Sequence, residues 1–119
     1  MATYKADLTL TSANLTSDNM SVTASISNTS ANYGGAVRQL WKTNANVALV
    51  DKDAYTEGAI VYIMNADSAG TVTVSITAAE SIVLGAGEWA VFPWGDRTTD
   101  ILVKTDQVAG RKIEWGVFN

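Results

Sequence analysis

Carboxylates are the reactive groups this chain has to offer. Its 119 residues include twelve Asp and Glu, eight Lys and Arg, and neither histidine nor cysteine. Catalysis near neutral pH usually relies on an imidazole or a thiolate, because those groups change charge there. Two acidic stretches remain to be weighed. Asp51, Asp53 and Glu57 alternate through a loop, and oxygen-rich loops of this kind hold Ca²⁺. The EF-hand pattern needs a glycine at its sixth position, where this stretch has Thr56, so the segment reads as a solvated loop. Asp96, Arg97 and Asp100 follow Trp94-Gly95. A carboxylate pair does glycosidase work only when it is held at a fixed separation across a sugar. Nothing in the spacing fixes one, and an Asp–Arg turn is the simpler reading. Glu88 follows Gly87 and is expected to hydrogen-bond the turn backbone, and Glu114 to face solvent. The residues point to no enzyme, no metal and no cofactor.

The aromatic residues offer a different chemistry. Indole rings stack on sugars and anchor interfaces. Trp89 and Trp115 fall in strand patterns and are expected in the core. Trp94 sits in a Pro93-Trp94-Gly95 segment that reads as a turn, which would leave it partly exposed as an anchor. Tyr33 and Tyr55 fall in loops and join it, as do Arg97 and, on the first strand, Tyr4 and Leu8. These six are the candidate interface residues.

The elements that must position them are strands. Ala2, Tyr4, Ala6, Leu8 and Leu10 alternate with Thr3, Lys5, Asp7, Thr9 and Thr11. Met20, Val22, Ala24 and Ile26 alternate with serines and threonines, so the two stretches read as a hairpin with one wet face. Short strands are expected at 37–41 and 47–50, with a loop or one helical turn at 51–58. Residues 59–64 are apolar on both faces, which predicts a central strand covered on both sides. With the turn at 65–70 and the alternating residues 71–76, they read as the clearest hairpin of the chain. Residues 81–84, 88–92, 100–105 and 111–118 complete eight to ten strands, with Pro93 closing its strand. Gly85 and Gly87 suit a turn with positive φ.

That spacing predicts an all-β chain, an antiparallel β-sandwich or jelly-roll-like domain over residues 1–119. Residues 1–35 would form a Ser/Thr/Asn-rich arm or hairpin and residues 36–119 the main sandwich. Charged residues are 17% of the chain against a usual 25% or so, which leaves a neutral polar surface or one covered by a partner. The net charge of −4, with scattered basic residues, excludes non-specific nucleic-acid binding and disfavours an anionic membrane. The absence of thiols and of an apolar leader segment fits synthesis in a cytoplasm.

The second half carries a recognisable layout: Val61-Tyr62-Ile63-Met64-Asn65, Thr71-Val72-Thr73-Val74-Ser75-Ile76, Leu84-Gly85-Ala86-Gly87-Glu88-Trp89-Ala90-Val91-Phe92-Pro93-Trp94, Asp100-Ile101-Leu102-Val103-Lys104, and Gly110-Arg111-Lys112-Ile113-Glu114-Trp115-Gly116-Val117-Phe118. Over residues 36–119 it resembles small β-sandwich structural proteins of tailed bacteriophages, of marine and cyanophage type. The resemblance implies a capsid decoration (cement) protein, made in the host cytoplasm and carried on the capsid surface of the virion. It would bind the major capsid protein lattice as a homo-oligomer, with a trimer favoured. The first strand would be available for strand addition to a neighbour. Two alternatives stay open: a tail or head-fibre component, and a carbohydrate-binding or adhesion module that stacks sugars on Trp94, Tyr33 and Tyr55.

Overall fold

A computed structural model describes residues 2–12, 20–30, 36–54, 59–77, 79–95 and 99–118; within the first two segments it describes the side chains of 5–11 and 21–25. The chain divides into two compact units, residues 1–32 and 33–119.

The first unit is a two-stranded antiparallel hairpin of β1 (Ala2–Ser12) and β2 (Met20–Ser30). Its eleven register pairs run unbroken from Ala2↔Ser30 to Ser12↔Met20. Because directly opposed residues share a face, Leu8↔Ala24 and Leu10↔Val22 lie on one side, and Asp7↔Ser25 and Thr9↔Thr23 on the other. The period-2 alternation of the sequence becomes an apolar strip backed by a polar one.

The second unit contains β3 (Ala36–Trp41), β4 (Val47–Val50), a 3₁₀ turn (Lys52–Ala54), β5 (Ala59–Asn65), β6 (Val72–Ser75), β7 (Ser81–Leu84), β8 (Trp89–Trp94), β9 (Ile101–Thr105) and β10 (Arg111–Phe118). They form two antiparallel four-stranded sheets, a front sheet β3-β10-β5-β8 and a back sheet β4-β9-β6-β7, packed as a sandwich. The pairs β3·β10, β4·β9, β5·β8 and β6·β7 are nested like one long hairpin, rolled up by the further pairs β5·β10 and β6·β9. That nesting is the strand order of a jelly roll.

Alternation fills the interior. Val61, Ile63, Ile113 and Trp94 from the front sheet meet Val72, Val74, Ile101 and Val103 from the back, each at most 1% exposed. The sandwich class, the central position of β5 and the strand character of 111–118 agree with the sequence reading.

Two expectations are overturned. Residues 59–64 and 71–76 do not form a hairpin: β5 belongs to the front sheet and β6 to the back, so the intervening turn carries the chain over the edge of the sandwich. Asn65, fully buried, holds this crossing. Its Nδ2 donates to the Gly70 and Leu84 carbonyls, both at 3.2 Å, and its Oδ1 accepts from the Asp67 N–H. Both flanking strands have an inward apolar face, and in sequence such a pattern does not distinguish pairing within a sheet from packing between sheets. Second, Pro93 does not close its strand. β8 is an edge strand that continues through Pro93, paired with Ile60, to Trp94, and an edge position tolerates the missing N–H.

Candidate functional site

The outer face of the front sheet is the feature the core does not explain. Four cross-strand rows can be read from the registers. The first runs Arg38, Glu114, Met64, Trp89; the second Ala36, Gly116, Tyr62, Val91; the third Phe118, Ile60, Pro93; and the fourth, at the other end, pairs Leu40 with Lys112, both exposed. The back sheet contrasts with it. Its outer rows are Val83, Thr73, Lys104 and Ser81, Ser75, Leu102, Ala48, an ordinary mixed and mostly polar surface. A strand apolar on both faces needs cover on both, and β5 receives its outer cover only in part. Ile60 is buried and Tyr62 and Met64 half-buried, while Trp89 and Val91 beside them stay 53% and 40% exposed.

One polar group is set into this surface. Tyr62 Oη donates to Glu114 Oε1 at 2.8 Å, and Arg38 donates through Nε and Nη2 to Glu114 Oε2 at 3.0 and 2.8 Å. Tyr62 stands opposite Gly116, so its ring reaches along β10 towards position 114. The Tyr62 hydroxyl and then Arg38 hold the Glu114 carboxyl below its ordinary value. Burial, and then the neighbouring carboxylate, push the Tyr62 phenol above its own. Every charge of the cluster is matched inside the sheet. Glu114 thus lies on the outward face, as its alternation suggested, but its side chain is only 28% exposed and is engaged by Tyr62 and Arg38.

The tryptophans exchange the places expected of them. Trp94 is 1% exposed and part of the core, whereas Trp89 is on the surface. The reason is phase. Positions 89 and 94 have opposite parity, and β8 runs through both, so Ala90, Phe92 and Trp94 point inward while Trp89, Val91 and Pro93 point outward. Ending the strand at Pro93 had hidden that relation. Trp94 therefore cannot act as a surface anchor. Trp115 and Trp41 pack partly buried against the core, and Trp41 Nε1 donates to the Val103 carbonyl at 3.0 Å.

The acidic stretches do structural work. Asp51 accepts from the Asp53 N–H at 2.8 Å, starting the 3₁₀ turn, and Asp100 accepts from the Lys52 N–H at 2.9 Å. Glu88 Oε2 accepts from the Gly85 N–H at 2.6 Å, as the sequence suggested, across a turn whose positive φ falls at Gly87 (77°) and not at Gly85. Among the described residues no three acidic side chains converge as a metal site would require. Tyr33, Tyr55, Arg97, Asp96 and Glu57 lie outside the described residues, as does the side chain of Tyr4.

On the hairpin, Leu8, Leu10 and Val22 are 46%, 55% and 45% exposed. A shallow open depression on this unit, lined by Lys5, Asp7, Thr9 and Thr23, is bridged by the Lys5–Asp7 ion pair at 3.2 Å. Sequence reasoning missed Trp89, Val91 and Met64 as surface residues. The signal that pointed to them was the two-faced apolar character of residues 59–64.

No protein-family model, no curated protein and no solved structure matches the chain.

Proposed function

We propose that this chain is a non-enzymatic virion structural protein, a capsid decoration protein that binds the major capsid protein lattice as a homo-oligomer. The observation that carries this reading is the exposed apolar strip of the hairpin, Leu8, Leu10 and Val22. A two-stranded ribbon is at best marginally stable in water and is held in place by a surface that covers its apolar face. A shell lattice is such a surface, repeated at high copy number. The jelly-roll order supports the reading by analogy, since this frame recurs in viral capsid proteins and in lectins, although a frame does not fix a function.

A density-gradient sedimentation of the source lysate tests it. The protein is expected to co-migrate with particles at a copy number comparable to the shell protein, and Leu8→Glu to strip it from them. A low copy number in the particle fraction would assign it to a tail or fibre. Recovery only as a small soluble species would overturn the virion reading. One observation favours the carbohydrate-binding alternative: the exposed indole of Trp89 offers a stacking platform in place of Trp94. Quenching of tryptophan fluorescence by polysaccharide, abolished by Trp89→Ala, is its signature.

A further inference from the structure

We propose that the outer face of the front sheet packs against the same face of a second copy, about a two-fold axis parallel to the strands. This rests on the reading of the chain as a self-assembling protein and names the surface and symmetry through which it does so.

The argument is the order of residues along the rows. A two-fold parallel to the strands lays β8 of one copy over β3 of the other and β5 over β10, so each row meets its own reverse. Reversing the first row sets Trp89 over Arg38 and Met64 over Glu114. Reversing the second sets Val91 over Ala36, a larger side chain over a small one. A guanidinium over an indole face is a favourable cation–π pair. Arg38 is already held by two hydrogen bonds to Glu114, which leave its flat face for stacking, and its side chain is 60% exposed. The ion pair neutralises itself, so covering it leaves no unmatched charge, whereas a charged partner would gain nothing from it.

Size sets the strength. Four strands about 4.8 Å apart and seven residues at about 3.4 Å each give a footprint of roughly 19 by 24 Å per copy. Over both copies that is about 900 Å², below the roughly 1,200 Å² at which stable interfaces begin, so the association is weak and concentration-dependent.

Two experiments on the full chain decide it. Sedimentation velocity between about 5 and 500 µM is expected to show a monomer–dimer equilibrium. Trp89→Glu, at an exposed site that leaves the fold intact by circular dichroism, is expected to weaken it at least about tenfold. A monomer throughout, or a dimer indifferent to Trp89→Glu, would overturn the proposal. The axis is tested with thiols, of which the native chain has none. In an Ala36→Cys, Val91→Cys double variant, each thiol faces the other kind across the interface, and a short bismaleimide should give a covalent dimer on a denaturing gel. Within one chain β3 and β8 are three strand spacings apart, about 14 Å, and the two like thiols across the dimer are farther apart still, by the gap between the sheets. Each single variant is therefore expected to stay monomeric on the gel. Equal cross-linking of the single variants, or none in the double variant, would refute the axis. Both readouts concern self-association alone, so their failure is distinct from a failure to bind particles.

Discussion

Tyr62 Oη and Glu114 Oε1 lie 2.8 Å apart on neighbouring strands, and this hydrogen bond joins the phenol to a carboxylate that Arg38 holds from the other side. A polar bracket is thereby set into a sheet face that is mostly apolar, with the exposed Lys112 at one end. The Glu114 carboxyl is displaced downwards and the Tyr62 phenol upwards from their ordinary values, which makes the bracket visible to pH.

Glu114 is held below its ordinary value of 4.5 by the Tyr62 hydroxyl first and Arg38 second. A carboxyl whose folded pKa is depressed adds stability above its unfolded value, and that contribution is lost as pH falls through the folded one. Asp67, held down by the Lys112 and Ser68 N–H groups, and Asp106, held down by Arg111, act in the same direction from an ordinary value of 3.8. Urea midpoints are therefore expected to be flat from pH 7 to about 5 and to fall below about 4.5. Glu114→Gln should make that fall shallower. A midpoint unchanged between pH 6 and pH 3 would contradict the assignment.

Tyr62→Phe removes the largest of the influences on Glu114. The Glu114 carboxyl, followed by NMR, is expected to titrate closer to 4.5 than in the wild type, with the remaining depression due to Arg38. An unmoved titration would mean that the hydroxyl does not donate to it in solution.

The exchange between Trp89 and Trp94 gives a pair of variants with opposite outcomes. Trp94→Ala opens a cavity in the core and is expected to cost about 3–5 kcal/mol. Trp89→Ala removes a half-exposed ring from an edge strand and should cost less than about 1 kcal/mol at concentrations where the chain is monomeric. Equal costs in chemical denaturation would place β8 out of register.

Asn65 is the buried polar hinge of the turn from β5 to β6. Asn65→Ala leaves the Gly70 and Leu84 carbonyls and the Asp67 N–H without their side-chain partner, and is expected to cost at least about 2 kcal/mol. Asn65→Leu, which restores volume without hydrogen bonds, should not recover the loss. Full recovery would make the site one of packing alone.

At Gly110 the backbone has φ 89°, and an added Cβ would run into the Trp41 carbonyl oxygen. Gly110→Ala thus combines a strained left-handed residue with a clash against backbone that cannot swing aside. It is expected to cost more than the ~1 kcal/mol of the conformation alone and to loosen β3 from β10 by hydrogen exchange.

Alternation and turn residues were enough to locate the strands, because which residues face inward is a period-2 property written residue by residue. The two-faced run at 59–64 announced a central strand, and Gly85, Gly87 and Glu88 announced a turn with its own cap. Partner choice was another matter. Whether β5 pairs with β6 or crosses to the other sheet depends on β10 and β8, which arrive some thirty to fifty residues later, and no local pattern carries that. The fate of the tryptophans followed the same rule. Trp89 and Trp94 had opposite phases from the start, but the phase turned into burial only when β8, as an edge strand, ran on through Pro93. The bracket of Tyr62, Glu114 and Arg38, and the face around it, exist only because strands distant in the chain stand side by side.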